Sequence, residues 1–205
     1  MFQKLTATLS ARTTARTLAV VTAALVAALV TVQILDAPWS LVRLERLAGT
    51  RAIPDMELHY SVRGVYDILG ALGAVGRRFY LTRVLGGFDV VFPSLAALWG
   101  GMAMTLVVRR LKAGGAMMTG ALHWLPLLPF AAGAFDYLEN AALATLVMTF
   151  PSPHPYIAVL AGSLTTLKQI GYLGTVVLLV AGMGAVLLHR RSAACRVSGT
   201  GRRCA

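Results

Sequence analysis

The hydrophobic positions of the chain collect into four long apolar stretches that are separated by shorter polar segments. The stretches cover about residues 18–35, 84–108, 121–150 and 156–188. A helix needs roughly 20 predominantly apolar residues to cross a bilayer. A membrane β-barrel would instead show short segments of alternating hydrophobicity. The pattern therefore predicts an all-α polytopic membrane protein, with residues 18–188 forming one bundle of four transmembrane helices.

The first apolar stretch follows a basic N-terminal segment, residues 1–17, that contains no acidic residue. Cleaved signal peptides and uncleaved first transmembrane helices share this arrangement. The stretch ends in Val32-Gln33-Ile34-Leu35-Asp36, with no A-x-A-like cleavage motif after it. We therefore expect an uncleaved helix, and cleavage remains the alternative.

The longest polar section lies between the first two stretches, over residues 36–83. From Met56 to about Gly76 its apolar residues recur at the spacing of one helix face. This pattern predicts an amphipathic interfacial helix between spans one and two, which packing on the bundle would hold in place. Three arginines, Arg77, Arg78 and Arg83, then precede the second span.

The net charge of +11 comes largely from basic residues at the ends of the apolar stretches. Such placement indicates topology signals and contacts with lipid headgroups, so we expect no nucleic-acid partner. Residues 1–17, the 109–120 turn and the 189–205 tail are basic without any acid, whereas residues 36–83 carry both signs. The positive-inside rule then predicts an inner-membrane (plasma-membrane) protein with both termini in the cytoplasm.

Several polar residues interrupt the apolar stretches and are the candidates for function. They are Asp89 in the second stretch, Asp136, Glu139 and Asn140 in the third, and Lys168, Gln169 and Tyr172 in the fourth. Each acid costs about 2.5–3.5 kcal/mol near the centre of a helix in lipid. Such residues are therefore expected to face protein, water or a partner charge.

Depth and spacing predict which of these residues meet. With a rise of about 1.5 Å per residue, Glu139 and Lys168 fall at nearly the same depth. Asp136, Glu139 and Asn140 are spaced i, i+3 and i+4, so they share one helix face. We therefore expect Lys168 to pair with Glu139 or Asp136, with Gln169 and Tyr172 on the same wall.

The intramembrane charges do not balance, because Asp89, Asp136 and Glu139 face one lysine. Desolvation could keep one carboxyl protonated. An arginine such as Arg78 could instead reach Asp89, or a cation could bind. The first two explanations need nothing beyond this chain, so we rank them above a bound metal.

Histidine and cysteine positions argue against metal and redox chemistry. The four histidines fall at both ends of the expected spans and show no HxxxH or HxxE spacing. The two cysteines, Cys195 and Cys204, lie in the tail and form no CxxC pair. No GxSxG element marks a nucleophile. We expect no metal and no cofactor, and we assign no catalytic residue.

A spaced set of short elements also carries a resemblance. The chain has G-R-x-x-Y-L at residues 76–81, D-x-x-F-P at residues 89–93, D-x-x-E-N at residues 136–140, and Lys168 in the last stretch. In these elements it resembles a group of small bacterial four-span integral membrane proteins, over roughly residues 56–188. The resemblance implies the four-span architecture and no particular activity, since none is established for that group.

The leading hypothesis is a polar intramembrane pocket that binds or transports a small polar or amphipathic molecule or a proton. Asp136 and Glu139 would bind or relay, Lys168 would balance the charge, and Asp89 with Arg78 would guard the mouth.

Two alternatives remain. One is an intramembrane enzyme that acts on a lipid or isoprenoid substrate with a carboxyl as acid or base. The other is a structural subunit of a membrane complex, in which the same residues only fix helix packing. The expected partners are the bilayer and a small-molecule or lipid ligand. A homo-oligomer would favour transport, and an apolar slot beside the acids would favour the enzyme.

Overall fold

A computed structural model describes residues 8–113 and 124–197, with side chains described as far as residue 188. These residues form helices joined by short loops, with no β-strand in the described ranges, so the predicted all-α class is confirmed. Three helices are long and apolar enough to cross a membrane, over Ala15–Gln33, Gly73–Ala113 and Pro155–Leu188. They support the predicted class of transmembrane protein.

From Ala15 onward, seven α-helices follow one another along the described chain. Helix α1 (Ala15–Gln33) is followed by α2 (Leu41–Ala48), a 3₁₀ turn (Pro54–Met56), α3 (Val62–Ala71) and α4 (Gly73–Phe79). A π-helix (Tyr80–Phe88) joins α4 directly to α5 (Asp89–Ala113). A second 3₁₀ turn (Leu125–Leu127) leads into α6 (Leu128–Thr149), and the described part of the chain ends in α7 (Pro155–Val197).

The section before the second apolar stretch folds differently from the prediction. Instead of one amphipathic helix from Met56, the structure has α3 and α4, which are separated at Gly73. Gly73 adopts φ 62°, a left-handed conformation that favours glycine and ends α3 at this point. We call α2, α3 and α4 with their connecting loops (residues 36–79) the cap.

The cap packs on one end of the long helices through a shared apolar core. Val65 and Leu69 of α3 are fully buried there, together with Leu143 and Leu146 of α6. Helix α4 lies against α2 because residue 76 is a glycine, where a Cβ would approach that of Ala48 to 2.7 Å. This packing agrees with the expectation that the bundle holds the section in place.

The second apolar stretch begins earlier than predicted. Helix α4, the π-helix and α5 form one continuous rod from Gly73 to Ala113, so the predicted start at Val84 lies inside a helix. The arginines before Val84 do not end the helix, because the cap covers part of this rod and supplies partners for its polar groups. The guanidinium of Arg77, for example, donates to the carbonyl of Leu69 at 2.8 Å.

Two sets of contacts identify the ends of the long helices. At the cap end, the backbone N–H of His154 donates to the hydroxyl of Tyr66 at 2.7 Å, so the α6–α7 connector lies against α3. At the opposite end, Arg109 donates to the carbonyl of Thr13 at 2.9 Å and also contacts Ser10. Helices α1, α5, α6 and α7 therefore alternate in direction between these two ends.

Helix α6 was predicted as the third span, from about residue 121, and it begins at Leu128. It is not among the three helices that are apolar enough, because Asp136, Glu139 and Asn140 lower its mean hydropathy. Residues 114–123, and with them part of the predicted turn, lie outside the described residues. Parts of the predicted basic segments 1–17 and 189–205 lie outside them as well.

Candidate functional site

Lys168 of α7 reaches two carboxylates of α6. Its Nζ lies 3.1 Å from Asp136 Oδ1 and 2.6 Å from Glu139 Oε2. The helices come close enough because Gly171, less than one turn after Lys168 on α7, faces Ala132 of α6. A Cβ added at residue 171 would approach the Cβ of Ala132 to 2.7 Å. The structure thus places these three charged side chains at ion-pair distance.

Hydroxyl groups occupy the remaining oxygens of both carboxylates. Tyr172 donates to Asp136 Oδ2 at 2.9 Å, and Thr165 donates to Glu139 Oε1 at 2.6 Å. The side chains of Lys168, Asp136 and Glu139 are 7%, 6% and 0% exposed. These hydrogen bonds compensate the three side chains for their loss of hydration. A buried ion pair is tolerated only when it has such compensation.

Asn140, the third polar residue on this face of α6, serves helix α5. Pro93 has no backbone N–H, so the carbonyl four residues earlier, that of Asp89, loses its helical partner. The side-chain amide of Asn140 donates to that carbonyl at 3.3 Å. One residue later, the hydroxyl of Tyr137 donates to the carbonyl of Val90 at 2.6 Å. Two α6 side chains therefore satisfy the backbone around the proline.

Asp89 is buried at the junction between the π-helix and α5, and it is 7% exposed. Its Oδ2 has no hydrogen-bond partner among the described residues. Of the explanations for the charge excess, an arginine partner for Asp89 is not seen: Arg78 is exposed, and no described arginine lies within ion-pair distance of Asp89. Arg78 and Asp89 belong to one continuous helical rod, in which eleven positions of helix rise separate them by roughly 15 Å, beyond the reach of a side-chain pair.

A cavity of about 390 Å³ lies between α1, the cap, α5 and the α6–α7 pair. Its polar lining residues are Gln33, Asp55, Asp89, Asp136, Lys168, Gln169, Tyr172 and Thr175. Its apolar wall includes Leu25 and Leu29 of α1 and the rings of Phe88 and Phe92, which stack with centroids 5.1 Å apart. Glu139 and Asn140 do not line this cavity and act behind its wall.

Asp55 is a member of the site that the sequence analysis did not select. It lies on the 3₁₀ turn of the cap, and its Oδ1 accepts a hydrogen bond of 2.9 Å from the buried Tyr80 hydroxyl. Removal from bulk water raises the pKa of the Asp55 carboxyl, while Lys168 and the Tyr80 hydrogen bond oppose that rise. The signal available in the sequence was an acid placed directly after the apolar residues Ile53 and Pro54.

A second cavity, of about 650 Å³, adjoins the first along α1, α5 and α7. Trp99 and Val176 line both cavities. The wall of the second is apolar except for Thr22 and Arg110. The indole N–H of Trp99 donates to the Thr22 hydroxyl at 3.1 Å and links α5 to α1 between the two spaces. A polar chamber therefore continues into an apolar groove.

The predicted site residues thus fall into three groups. Asp89, Asp136, Lys168, Gln169 and Tyr172 line the cavity, Glu139 and Asn140 support its wall, and Arg78 lies outside the site. No group of three or more His, Cys, Asp or Glu side chains within the described ranges is placed to hold a metal ion.

The arrangement can accept hydrogen bonds from a ligand, offset a positive charge, or pass a proton between carboxyl and hydroxyl groups. A hydroxyl or thiol nucleophile paired with a histidine base is not among the groups that line the cavity. Comparison with models of protein families, with curated proteins and with solved structures finds no match to this chain, so the site is interpreted from its own geometry.

Proposed function

We propose that the chain is a bacterial inner-membrane protein of four spans. Three spans are the three apolar helices described above, and α6 is the fourth. With 22 residues, α6 is about 33 Å long, enough to cross a hydrocarbon core. Its three most polar side chains face α5 and α7, so its lower hydropathy does not oppose insertion. The alternating directions of α1, α5, α6 and α7 support the same topology, with both termini on the cytoplasmic side.

Within this bundle, we propose that the protein binds a small polar or amphipathic molecule in the 390 Å³ cavity. The observation that carries the proposal is one chamber in which ionisable side chains face a largely apolar wall. Ligand sites have this character, with an apolar lining and a few polar groups that fix orientation. Ionisable residues at membrane depth are otherwise rare because of their cost.

The residues of such a site have different roles. Asp89, Asp55 and Gln169 present groups to a ligand, and Tyr172 holds Asp136 in place at the wall. Lys168 offsets the charge of Asp136 and Glu139. A carrier, a receptor and an enzyme all require this binding step.

A second candidate function is that of an intramembrane enzyme acting on a lipid or isoprenoid. The apolar groove that continues from the cavity favours it, since it would accommodate a hydrocarbon chain while the headgroup lies near the acids. In that case the recovered ligand would be a mixture of substrate and product. A binding or transport protein would return one unchanged compound.

The test is native mass spectrometry of the purified full-length protein, with identification of any small molecule that remains bound. We expect a ligand on the wild type and its loss from the Ala96→Phe variant, because Ala96 lines the cavity and a phenyl ring would fill part of it. The matched control is Leu98→Phe, which adds an aromatic ring on an exposed face of the same helix.

Retention of the same ligand by Ala96→Phe would show that the compound binds elsewhere. Recovery of no ligand from the wild type under several mild detergents would contradict the binding proposal. The charge network would then serve only to pack the helices, as in a structural subunit.

A further inference from the structure

The charge count within the site leaves an excess of carboxyl groups. Lys168 contacts Asp136 and Glu139, and hydroxyls occupy the other oxygen of each. Asp55 has the Tyr80 hydroxyl as its partner. Asp89 is 93% buried, and its Oδ2 is unpartnered among the described side chains. The charged groups of the cavity that are left without a basic partner are therefore acidic.

The two carboxyls of the site that form no ion pair with Lys168 share one chamber. Asp55 reaches the cavity from the cap and Asp89 from the start of α5, so they approach it from different elements. Like charges in a low-dielectric space repel, and a positive group between them would relieve that repulsion. An anionic headgroup would add to the repulsion.

The remaining walls suit the body of an organic cation. The stacked rings of Phe88 and Phe92 are close to Asp89 in the sequence and line the same space, and Trp99 lines both this cavity and the adjoining groove. Aromatic faces attract ammonium groups and also pack against hydrocarbon. A volume of about 390 Å³ is much larger than a bare monovalent ion needs, and it falls in the range of small-molecule sites.

From these observations we infer that the ligand is an amphipathic organic cation: a protonated amine that places its ammonium group at Asp89 and Asp55 and its hydrocarbon body against Phe88, Phe92 and Trp99. This inference rests on the proposed function and specifies the ligand class of the same cavity. The adjoining groove extends the space available to a longer chain.

Three probes of equal chain length test the inference: n-octylammonium, 1-octanol and octanoate. Binding is followed by the fluorescence of Trp99 in full-length protein that carries Trp39→Phe and Trp124→Phe. We expect n-octylammonium to produce a saturable change, with a dissociation constant at least about tenfold below that of 1-octanol, because a charged hydrogen bond is stronger than a neutral one. Octanoate should produce no saturable change.

Matched variants then test the assignment to the two carboxyls. Asp89→Asn should weaken n-octylammonium binding by about tenfold or more, and Asp55→Asn should weaken it in the same direction. The control is Asp67→Asn, because Asp67 is an exposed acid of the cap whose carboxylate pairs with Arg63. It should bind n-octylammonium as the parent does. Asp55 lies on a turn outside the long helices, so its variant also covers the case in which Asp89→Asn fails to fold.

Binding of 1-octanol or octanoate as tight as that of n-octylammonium would overturn the inference and leave the proposed function standing. Unchanged binding of n-octylammonium in both Asp89→Asn and Asp55→Asn would also overturn it. If none of the three probes binds, the inference fails. The proposed function fails as well only if the wild type also yields no bound ligand by native mass spectrometry.

Discussion

At the scale of single residues, the site depends on Lys168. It is the basic side chain that contacts Asp136 and Glu139, and all three are withdrawn from water. Removing one partner of a buried ion pair leaves an uncompensated charge and costs about 3–5 kcal/mol of stability. Replacing both partners by apolar side chains costs far less. Lys168 is therefore needed for stability even where it does not touch the ligand.

We predict that Lys168→Met lowers the free energy of unfolding by about 3 kcal/mol, because two carboxylates lose their counter-ion. The control is Arg63→Met, which breaks an exposed pair of 3.7 Å with Asp67. Denaturant unfolding in detergent micelles would measure both variants.

The same experiment includes a partial rescue. Glu139→Gln removes one of the two carboxylates, so its addition to Lys168→Met should restore part of the lost stability. If Lys168→Met is no more damaging than Arg63→Met, or if Glu139→Gln adds to the damage, the buried network does not hold α6 to α7.

Sequence reasoning reached part of this site, for physical reasons that the residues themselves show. Asp136, Glu139 and Lys168 could be placed together because helix spacing and depth are both countable. Asp55 could not, because its position depends on how a loop of the cap folds back onto the π-helix and α6. An arginine such as Arg78 was considered as a partner for Asp89 because it precedes the same stretch in the sequence, whereas the continuous rod from Gly73 to Ala113 keeps the two residues well apart along its axis.

At the scale of helices, α6 supplies a hydrogen bond that α5 lacks because of its proline. Pro93 leaves the carbonyl of Asp89 without a helical donor, and Asn140 of α6 donates to it. Gly133 of α6 permits the approach, since an added Cβ would lie 3.1 Å from the carbonyl oxygen of Pro93. Proline in a membrane helix is tolerated when a neighbouring helix satisfies the freed group in this way.

A double-mutant cycle on Pro93→Ala and Asn140→Leu tests that hydrogen bond. Asn140→Leu should cost about 1 kcal/mol in the wild-type background, at the upper part of the range for polar contacts between membrane helices. It should cost less when Pro93→Ala restores a backbone N–H at position 93. Strictly additive effects in the unfolding free energies would show that Asn140 does not serve the broken helix.

Helix boundaries were less predictable than helix existence. The long apolar helices were recognisable because hydrophobic length is a strong signal. The beginning of the rod at Gly73 was not, because Arg77 and Arg78 suggest a membrane edge. Instead, Leu69 of the cap gives Arg77 a carbonyl partner, and Phe150 at the end of α6 gives it a stacking surface, with the guanidinium carbon 4.1 Å from the centre of the ring.

At the scale of the whole molecule, the cavity exists because α1 packs mainly on α5 and the cap and stands apart from α6. The gap between α1 and α7 is lined by Leu25 and Leu29 on one side and by Gln169 and Val176 on the other. Nothing in the apolar sequence of α1 predicts that gap, since its size depends on how all of the helices assemble. The class of the protein followed from the sequence, whereas the chamber did not.

The central claim is that a polar chamber lies inside a membrane-spanning bundle, and the neighbouring residues Gln169 and Ile170 test it most directly. Gln169 lines the cavity, whereas Ile170 is 63% exposed on the outer surface of α7, where lipid would lie. The measurement is the rate of modification of Gln169→Cys and Ile170→Cys in membranes by a water-soluble methanethiosulfonate with a trimethylammonium group. Both variants carry Cys195→Ser and Cys204→Ser.

We predict that Gln169→Cys is modified readily, because the chamber admits a small polar cation. Ile170→Cys should stay unmodified, because lipid excludes the reagent. Modification of Ile170→Cys as fast as that of Gln169→Cys would mean that this part of α7 lies in water, and a complete lack of reaction at Gln169→Cys would mean that the chamber is closed to small molecules.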